Sequence, residues 1–213
     1  GFGLTMETAQ ELLGCGVDVL TSGNHIWDQK EIIPYMDQEL PLIRPANYPQ
    51  GVPGRGYTSW GKVLVINLMG RVFMNNLDCP FRAADALLDK LGPQRPPVVV
   101  VDFHAEATSE KNAMGWYLDG RVSVVFGTHT HVPTADARIL PKGTAYVTDV
   151  GMVGPLNSII GNSPSDVLER FLTQMPNRLT VPGGPVRFNS VLVAGDEGTG
   201  KATSIQRVDR TVE

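Results

Sequence analysis

The sequence predicts an α/β fold with two mixed β-sheets face to face and helices on both outer sides. Three observations carry that expectation. The wholly apolar, β-branched run at residues 98–101 reads as a strand covered on both faces, and residues 122–126 read as another buried strand. Segments with helical apolar spacing stand between such runs, as in α/β units. The chain then closes on residues 186–194 and 202–208, which pair antiparallel around the Gly-rich GDEGTGK turn.

Each element has its own local signal. Residues 6–14 read as a helix with Thr5 as N-cap and Glu7 in the first turn, closed by Gly14 and Gly16. Residues 17–20 follow as a short strand. Residues 28–38 read as a helix ending before Pro41, and residues 42–43 as a second short strand. RPANYPQGVPGRG is a loop, since Pro and Gly leave little room for regular structure. Residues 57–60 and 63–67 flank Gly61-Lys62, a hairpin turn. A polar loop covers residues 71–80. The helix at residues 81–91 places Ala83, Ala84, Leu87, Leu88 and Leu91 on one side. Residues 111–118 are helical and residues 145–148 form a strand. The helix at residues 164–175 has Ser163 as N-cap and Pro164 at its first position.

A length of 213 residues suits one domain spanning residues 1–213. With 42% hydrophobic and 19% charged residues, the chain is not of the disordered class. The net charge of −4 argues against duplex nucleic acid or an anionic membrane as partner, because both need a positive field. It leaves room for a small anionic substrate held by a metal. No apolar run approaches the ~18–20 residues of a membrane span. Cys15 and Cys79 form no metal or redox spacing and are expected as buried thiols in a reducing cytosol. A cytoplasmic protein without a signal peptide is therefore expected. A homo-oligomer is compatible with these features.

The four histidines carry the functional signal. His25, His104, His129 and His131 each lie just beyond an apolar strand. Strand ends on one side of a sheet converge, and imidazoles gathered with oxygen donors suit borderline metals. In GTHTH, an extended backbone would point His129 and His131 the same way. Asn24 and His25 are adjacent, which suits unequal roles, one on the metal and one facing substrate. Two divalent ions ~3.5–4 Å apart suit phosphate ester hydrolysis, with a free histidine protonating the leaving oxygen. Arg44 and Asn47 could reach a phosphate, or serve the Pro-rich loop that holds them. Phe73, Asn75 and Asn76 could read a base, or be plain loop.

Six blocks in order then resemble a known family. They are GNHIWD at 23–28, RPANYP at 44–49, DCPFRA at 78–83, DFHAEATSEK at 102–111, GTHTH at 127–131 and TDVGM at 148–152. Together they resemble the calcineurin-like metallophosphoesterases, in the YmdB-like bacterial cyclic nucleotide phosphodiesterase branch. The resemblance runs from Gly1 to about Val208. It implies a four-layer αββα fold and two divalent ions, iron or manganese, with zinc as a third fit. It implies Asn24, His104 and His129 as ligands of one ion, His131 as a ligand of the other, and His25 as the unligated acid. The substrate it implies is a small cyclic nucleotide, 2',3'-cyclic and also 3',5'-cyclic. The family's GD aspartate and Glu-Asn pair have no counterpart ahead of Asn24. The first βαβ portion of the fold is accordingly expected upstream of Gly1, with those carboxylates in it. Asp102 is expected as a fold residue or a partner behind the site, and Glu106 as a hydrogen-bond partner at its rim. Two rival functions stand beside this one. One is a phosphomonoesterase or nuclease on the same site; the other is a regulatory or scaffold protein with a vestigial site.

Overall fold

The computed structural model describes residues 2–38 and 40–213. Gly1 of the opening Gly-Phe-Gly lies outside them. Helix α1 spans Met6–Gly14 and is capped as expected. The Thr5 hydroxyl accepts the Thr8 N–H at 3.2 Å, and the Thr5 N–H donates to the Thr8 hydroxyl at 3.0 Å. This reciprocal cap satisfies two amides that the helix itself cannot.

Strand β1 is only Leu20–Thr21, shorter than residues 17–20. It runs parallel to β2, Leu42–Ile43, with Leu20 opposite Leu42. Pro41 precedes β2 and has no N–H, so the ladder cannot extend backwards. Leu20 N–H donates to the Pro41 carbonyl at 2.8 Å, and the pairing starts there. The α-helix expected at residues 28–38 is instead a 3-10 helix, Lys30–Tyr35, with Pro34 inside it. Proline lacks the amide an α-helix interior needs and clashes with the carbonyl four residues back.

The main sheet has six strands in the order β3-β4-β5-β6-β8-β7. They are β3 (Tyr57–Trp60), β4 (Val63–Met69), β5 (Val98–His104), β6 (Val124–Thr128), β7 (Arg138–Ile139) and β8 (Ala145–Val147). The four central strands, β4, β5, β6 and β8, are parallel; β3 and β7 are antiparallel edges. Gly61 turns the β3–β4 hairpin at φ 56°, a conformation that favours glycine. Helices α2 (Pro80–Leu91) and α3 (Thr108–Leu118) cover one face. Val99, Val101 and Phe103 of β5 pack there with Leu87 and Leu88 of α2 and Met114 and Leu118 of α3. Each such fully buried side chain contributes roughly 1.5–3 kcal/mol. The intervening Val100, with Val124 and Phe126, faces the other way.

Short β pieces form the facing layer. Strands β9 (Val153–Pro155), β10 (Val186–Phe188) and β13 (Arg210–Val212) make a three-stranded antiparallel sheet. The hairpin β11 (Val191–Gly195) and β12 (Ala202–Arg207) packs Val193, Ala202 and Ile205 onto Val100, Val124 and Phe126. The expected strand at residues 186–194 is thus broken. Asn189 turns inward and donates to the Met152 carbonyl at 2.6 Å, while Ser190 is tied to Val208 and Asp209. That corner sends β10 and β11 into different sheets. Helix α4 spans Pro164–Thr173, ending before Met175. Its N-cap Ser163 makes no side-chain cap bond.

Cys15 is exposed and Cys79 half-buried, so neither is the buried thiol expected. Among the described residues, no helix is long and apolar enough to cross a membrane.

Candidate functional site

Strands β4, β5 and β6 end level with one another, with Met69 opposite His104 and His104 opposite Thr128. Parallel pairing therefore delivers His104 and the 129–131 loop to one edge of the main sheet. Strand β1 delivers Asn24 and His25 to the same place. A cleft of about 650 Å³ is lined by all four histidines, together with Phe2, Asp102, Glu106 and Ile160. Gly23 is what lets the two banks meet. A Cβ there would lie 2.3 Å from the His104 ring.

Hydrogen bonds fix the proton on each ring. The Thr128 hydroxyl donates to Asp102 Oδ1 at 2.7 Å. Its oxygen can then only accept from His104 Nδ1, 3.1 Å away. His104 thus carries its proton on Nδ1, and Nε2 keeps a lone pair. His129 Nε2 lies 3.1 Å from a Glu106 carboxylate oxygen, which needs a donor and leaves His129 Nδ1 bare. His131 Nδ1 donates to the Ile160 carbonyl at 2.9 Å, again freeing Nε2.

Three lone-pair atoms now face one another. His104 Nε2 is 2.7 Å from Asn24 Oδ1 and 3.1 Å from His129 Nδ1. With those tautomers no proton stands between them, so the contact is repulsive unless a cation fills it. Two neutral nitrogens and one amide oxygen fit a borderline divalent ion, and the outer partners orient the rings as second partners do at metal sites. The fit is limited to this trio. Among the described residues, no group of three or more His, Cys, Asp or Glu side chains stands ready to hold an ion. His131 lines the same cleft, with its ring tied to Ile160.

Electrostatics keep the His104 and His129 rings neutral. Burial pushes His104 down to about 3, helped by His129 and by the Lys111 ammonium. Burial also lowers His129, against the pull of Glu106. Asp102 is lifted to about 6, by burial first, against hydrogen bonds from Thr21 and Thr128.

His25 is separate from the trio. Its Nδ1 pairs with Asp28 Oδ2 at 2.7 Å, and Phe2 packs edge-on against its ring at 5.3 Å. The side chain is 41% exposed.

The extended geometry expected for His129 and His131 is not found. Their φ angles are 97° and 65°, in the left-handed region. Arg44 and Asn47 serve the loop. Arg44 donates to the carbonyls of Pro45, Val52 and Pro53, and Asn47 bridges Met69 and Asp78. Phe73 is 89% exposed and does not line the cleft. Sequence reasoning missed Thr128, although it sits inside the GTHTH block, and missed the buried pair of Lys111 and Asp149. Their signal was no more than membership of the DFHAEATSEK and TDVGM blocks.

Residues 1–208 match the model of a family described as YmdB-like protein. The 2',3'-cyclic-nucleotide 2'-phosphodiesterase of Bacillus subtilis is 51% identical over 212 residues, covering 98% of this chain and 80% of that protein. A crystal structure of a hypothetical protein from Thermus thermophilus superposes with a TM-score of 0.91 at 44% identity, over 99% of this chain and 83% of that one. A novel phosphatase of Mycoplasma pneumoniae superposes with a TM-score of 0.89 at 34% identity, over 98% of this chain and 77% of that one. The α/β fold of mixed sheets flanked by helices is thus the calcineurin-like phosphoesterase fold, and the chain belongs to the YmdB-like family of calcineurin-type metallophosphoesterases, related to bacterial cyclic nucleotide phosphodiesterases.

Proposed function

We propose that this chain is a metal-dependent phosphodiesterase that opens small cyclic nucleotides, 2',3'-cyclic first and 3',5'-cyclic second, in a site for two divalent ions. Family membership supports phosphatase or phosphodiesterase activity, and the Bacillus subtilis relative's name supports the cyclic substrate. The observation that carries the reading is the convergence on His104 Nε2 of Asn24 Oδ1 at 2.7 Å and His129 Nδ1 at 3.1 Å. These three would hold one ion, and His131 Nε2 would contribute to the other. Such donors suit iron, manganese or zinc, and the family resemblance favours iron or manganese. When bound, the ions supply Lewis acidity, offsetting phosphoryl charge and acidifying water.

The chain's own residues do the rest. Asp102 and Thr128 hold the His104 proton on Nδ1, away from the donor point. Glu106 does the same for His129. His25, with Nδ1 on Asp28, leaves Nε2 to carry the mobile proton. Water's oxygen forms the new P–O bond as one of its O–H bonds breaks and that proton leaves to solvent; the ring P–O bond breaks, the proton on His25 Nε2 passes to the departing ribose oxygen, and His25 takes a proton back from solvent. The −4 charge supports a small substrate over a nucleic-acid polymer.

The test is a substrate panel on the full chain, stripped of metal and reloaded with Mn²⁺ or Fe²⁺. Turnover of 2',3'-cyclic AMP that depends on added metal and exceeds that of an aryl phosphate monoester is expected. Preference for the monoester or for RNA would replace this reading. Equal turnover after exhaustive chelation would end the metal dependence.

A further inference from the structure

Beneath the histidine cleft lies an ion pair whose only part above was the help of its ammonium in keeping His104 neutral. Lys111 and Asp149 are each 1% exposed, with Nζ 2.6 Å from Oδ2. A fully buried pair is costly to desolvate and adds little stability by itself, so its presence needs a reason. Asp149 Oδ2 also accepts the Thr130 hydroxyl at 2.6 Å and the Thr130 amide at 3.2 Å. Lys111 Nζ lies 3.2 Å from the same hydroxyl. Asp149 Oδ1 is occupied by the Gly151 amide at 2.7 Å. Thr130 is therefore gripped by both members of the pair, through backbone and side chain together.

Its neighbours are strained. His129 and His131, on either side, have φ angles of 97° and 65°. Such backbone is unfavourable in any residue with a Cβ and persists only where the surroundings over-determine it. Room for the lysine is built in as well. A Cβ on Gly127 would lie 2.9 Å from Lys111 Cδ and 1.8 Å from the Thr148 carbonyl oxygen. Helix α3, the end of β6 and the end of β8 thus close on one point, and that point holds Thr130.

We propose that the Lys111–Asp149 pair is a positioning clamp: by drawing Thr130 into the interior it holds His129 and His131 left-handed and turns both rings into the cleft. Its purpose rests on the metal reading above, while the clamp itself is a statement about backbone. None of the three is a catalytic residue. Released, the segment would relax toward an extended chain and re-aim both imidazoles.

Thr130→Val removes the hydroxyl at nearly constant volume; Thr130→Ser restores it. Three readouts separate the outcomes. In metal-free wild type, Thr130 N–H should be among the slowest amides to exchange, and fast exchange would overturn the clamp whether or not any variant folds. In Thr130→Val the imidazole ¹⁵N resonances of His129 and His131 should shift, with Thr130→Ser returning them; unchanged resonances would overturn it. Manganese affinity should fall roughly 10–100-fold in Thr130→Val, as for loss of an outer partner, and recover in Thr130→Ser. Unchanged affinity would overturn the proposal. If wild type itself took up no manganese, the metal reading would fail, and the exchange and imidazole readouts would still decide the clamp.

Discussion

The two banks of the cleft are built differently. His104 and His129 stand at the ends of strands inside a six-stranded sheet with cores on both faces. His104 is held from behind by the Thr128 hydroxyl and the buried Asp102; His129 is itself 22% exposed and leans on Glu106, a rim carboxylate 47% exposed, so the rigidity of this bank rests on His104 and the sheet. Across the cleft, His25 follows a two-residue strand with a two-residue partner. Among the described residues, only Asp28, itself 40% exposed, holds its ring through a hydrogen bond. A rigid bank with fixed lone pairs suits holding an ion. A looser, wetter bank suits a group that must pick up and release a proton each turnover. Asn24 belongs by sequence to the second bank and by contact to the first, which makes it the bridge between them.

Removing a member of the rigid bank should have the largest effect. His104→Ala takes away the nitrogen shared by both short contacts of the trio. Metal content and turnover should vanish together, beyond the ~100-fold cost of losing an outer partner. Elemental analysis beside the activity assay checks this. Normal metal content would erase the distinction between the banks. His25→Ala comes next. It should keep its metal and lose roughly 10²–10⁴-fold in turnover. The deficit should shrink for a diester whose leaving group is acidic enough to need no proton. Loss of metal in this variant would move His25 to the other bank.

The third effect is on stability and its sign can be worked out. The His104 pKa in the fold is about 3, against 6.5 ordinarily. Below pH 6.5 the unfolded chain takes up a proton that the folded chain refuses. Stability is thus full above 6.5 and is lost as pH falls toward 3. Asp102, lifted to about 6 from 3.8, works the opposite way, its cost being relieved as pH falls through 6. His104→Gln removes the first contribution and retains Asp102. Between pH 7 and pH 5, metal-free wild type should lose about 2 kcal/mol relative to this variant. Urea unfolding at the two pH values measures it, and parallel curves would mean that His104 is not held neutral by the fold.

Much of the rigid bank was legible in the sequence, and the reason is local. Val98 to Val101 is apolar without alternation because both faces are covered, and His104 follows in the same strand. Gly61 marks the hairpin by its backbone needs alone. The looser bank was harder to read. Where β1 begins is set by Pro41, a residue on its partner strand, and Pro34 converts the expected α-helix to a tighter one. The clustering of the histidines follows from strand ends and could be foreseen. Their tautomers and backbone could not, because Thr128, Lys111 and Asp149 act across distances in sequence that no motif spans. The left-handed turns at His129 and His131 are imposed by tertiary hydrogen bonds on Thr130, and they override the extended preference of an alternating segment.

Asp28→Asn should have the smallest effect and sharpen the contrast most. The Asp28 carboxylate accepts from His25 Nδ1 at 2.7 Å, which orients the ring and leaves Nε2 for the mobile proton. Both side chains are about two-fifths exposed, so water competes for each partner. An ion pair or hydrogen bond in that setting is worth ~0–1 kcal/mol, or at most about 5-fold in rate. The Asn side chain can still accept through its oxygen, which reduces the loss further. Metal content should be unchanged and turnover should fall by less than about 5-fold, with the deficit smaller again for an acidic leaving group. A loss near that of His25→Ala would show that Asp28 holds the ring as firmly as Asp102 and Thr128 hold His104. The His25 bank would then be as rigid as the other, and exposure would be a poor guide to which histidine moves the proton.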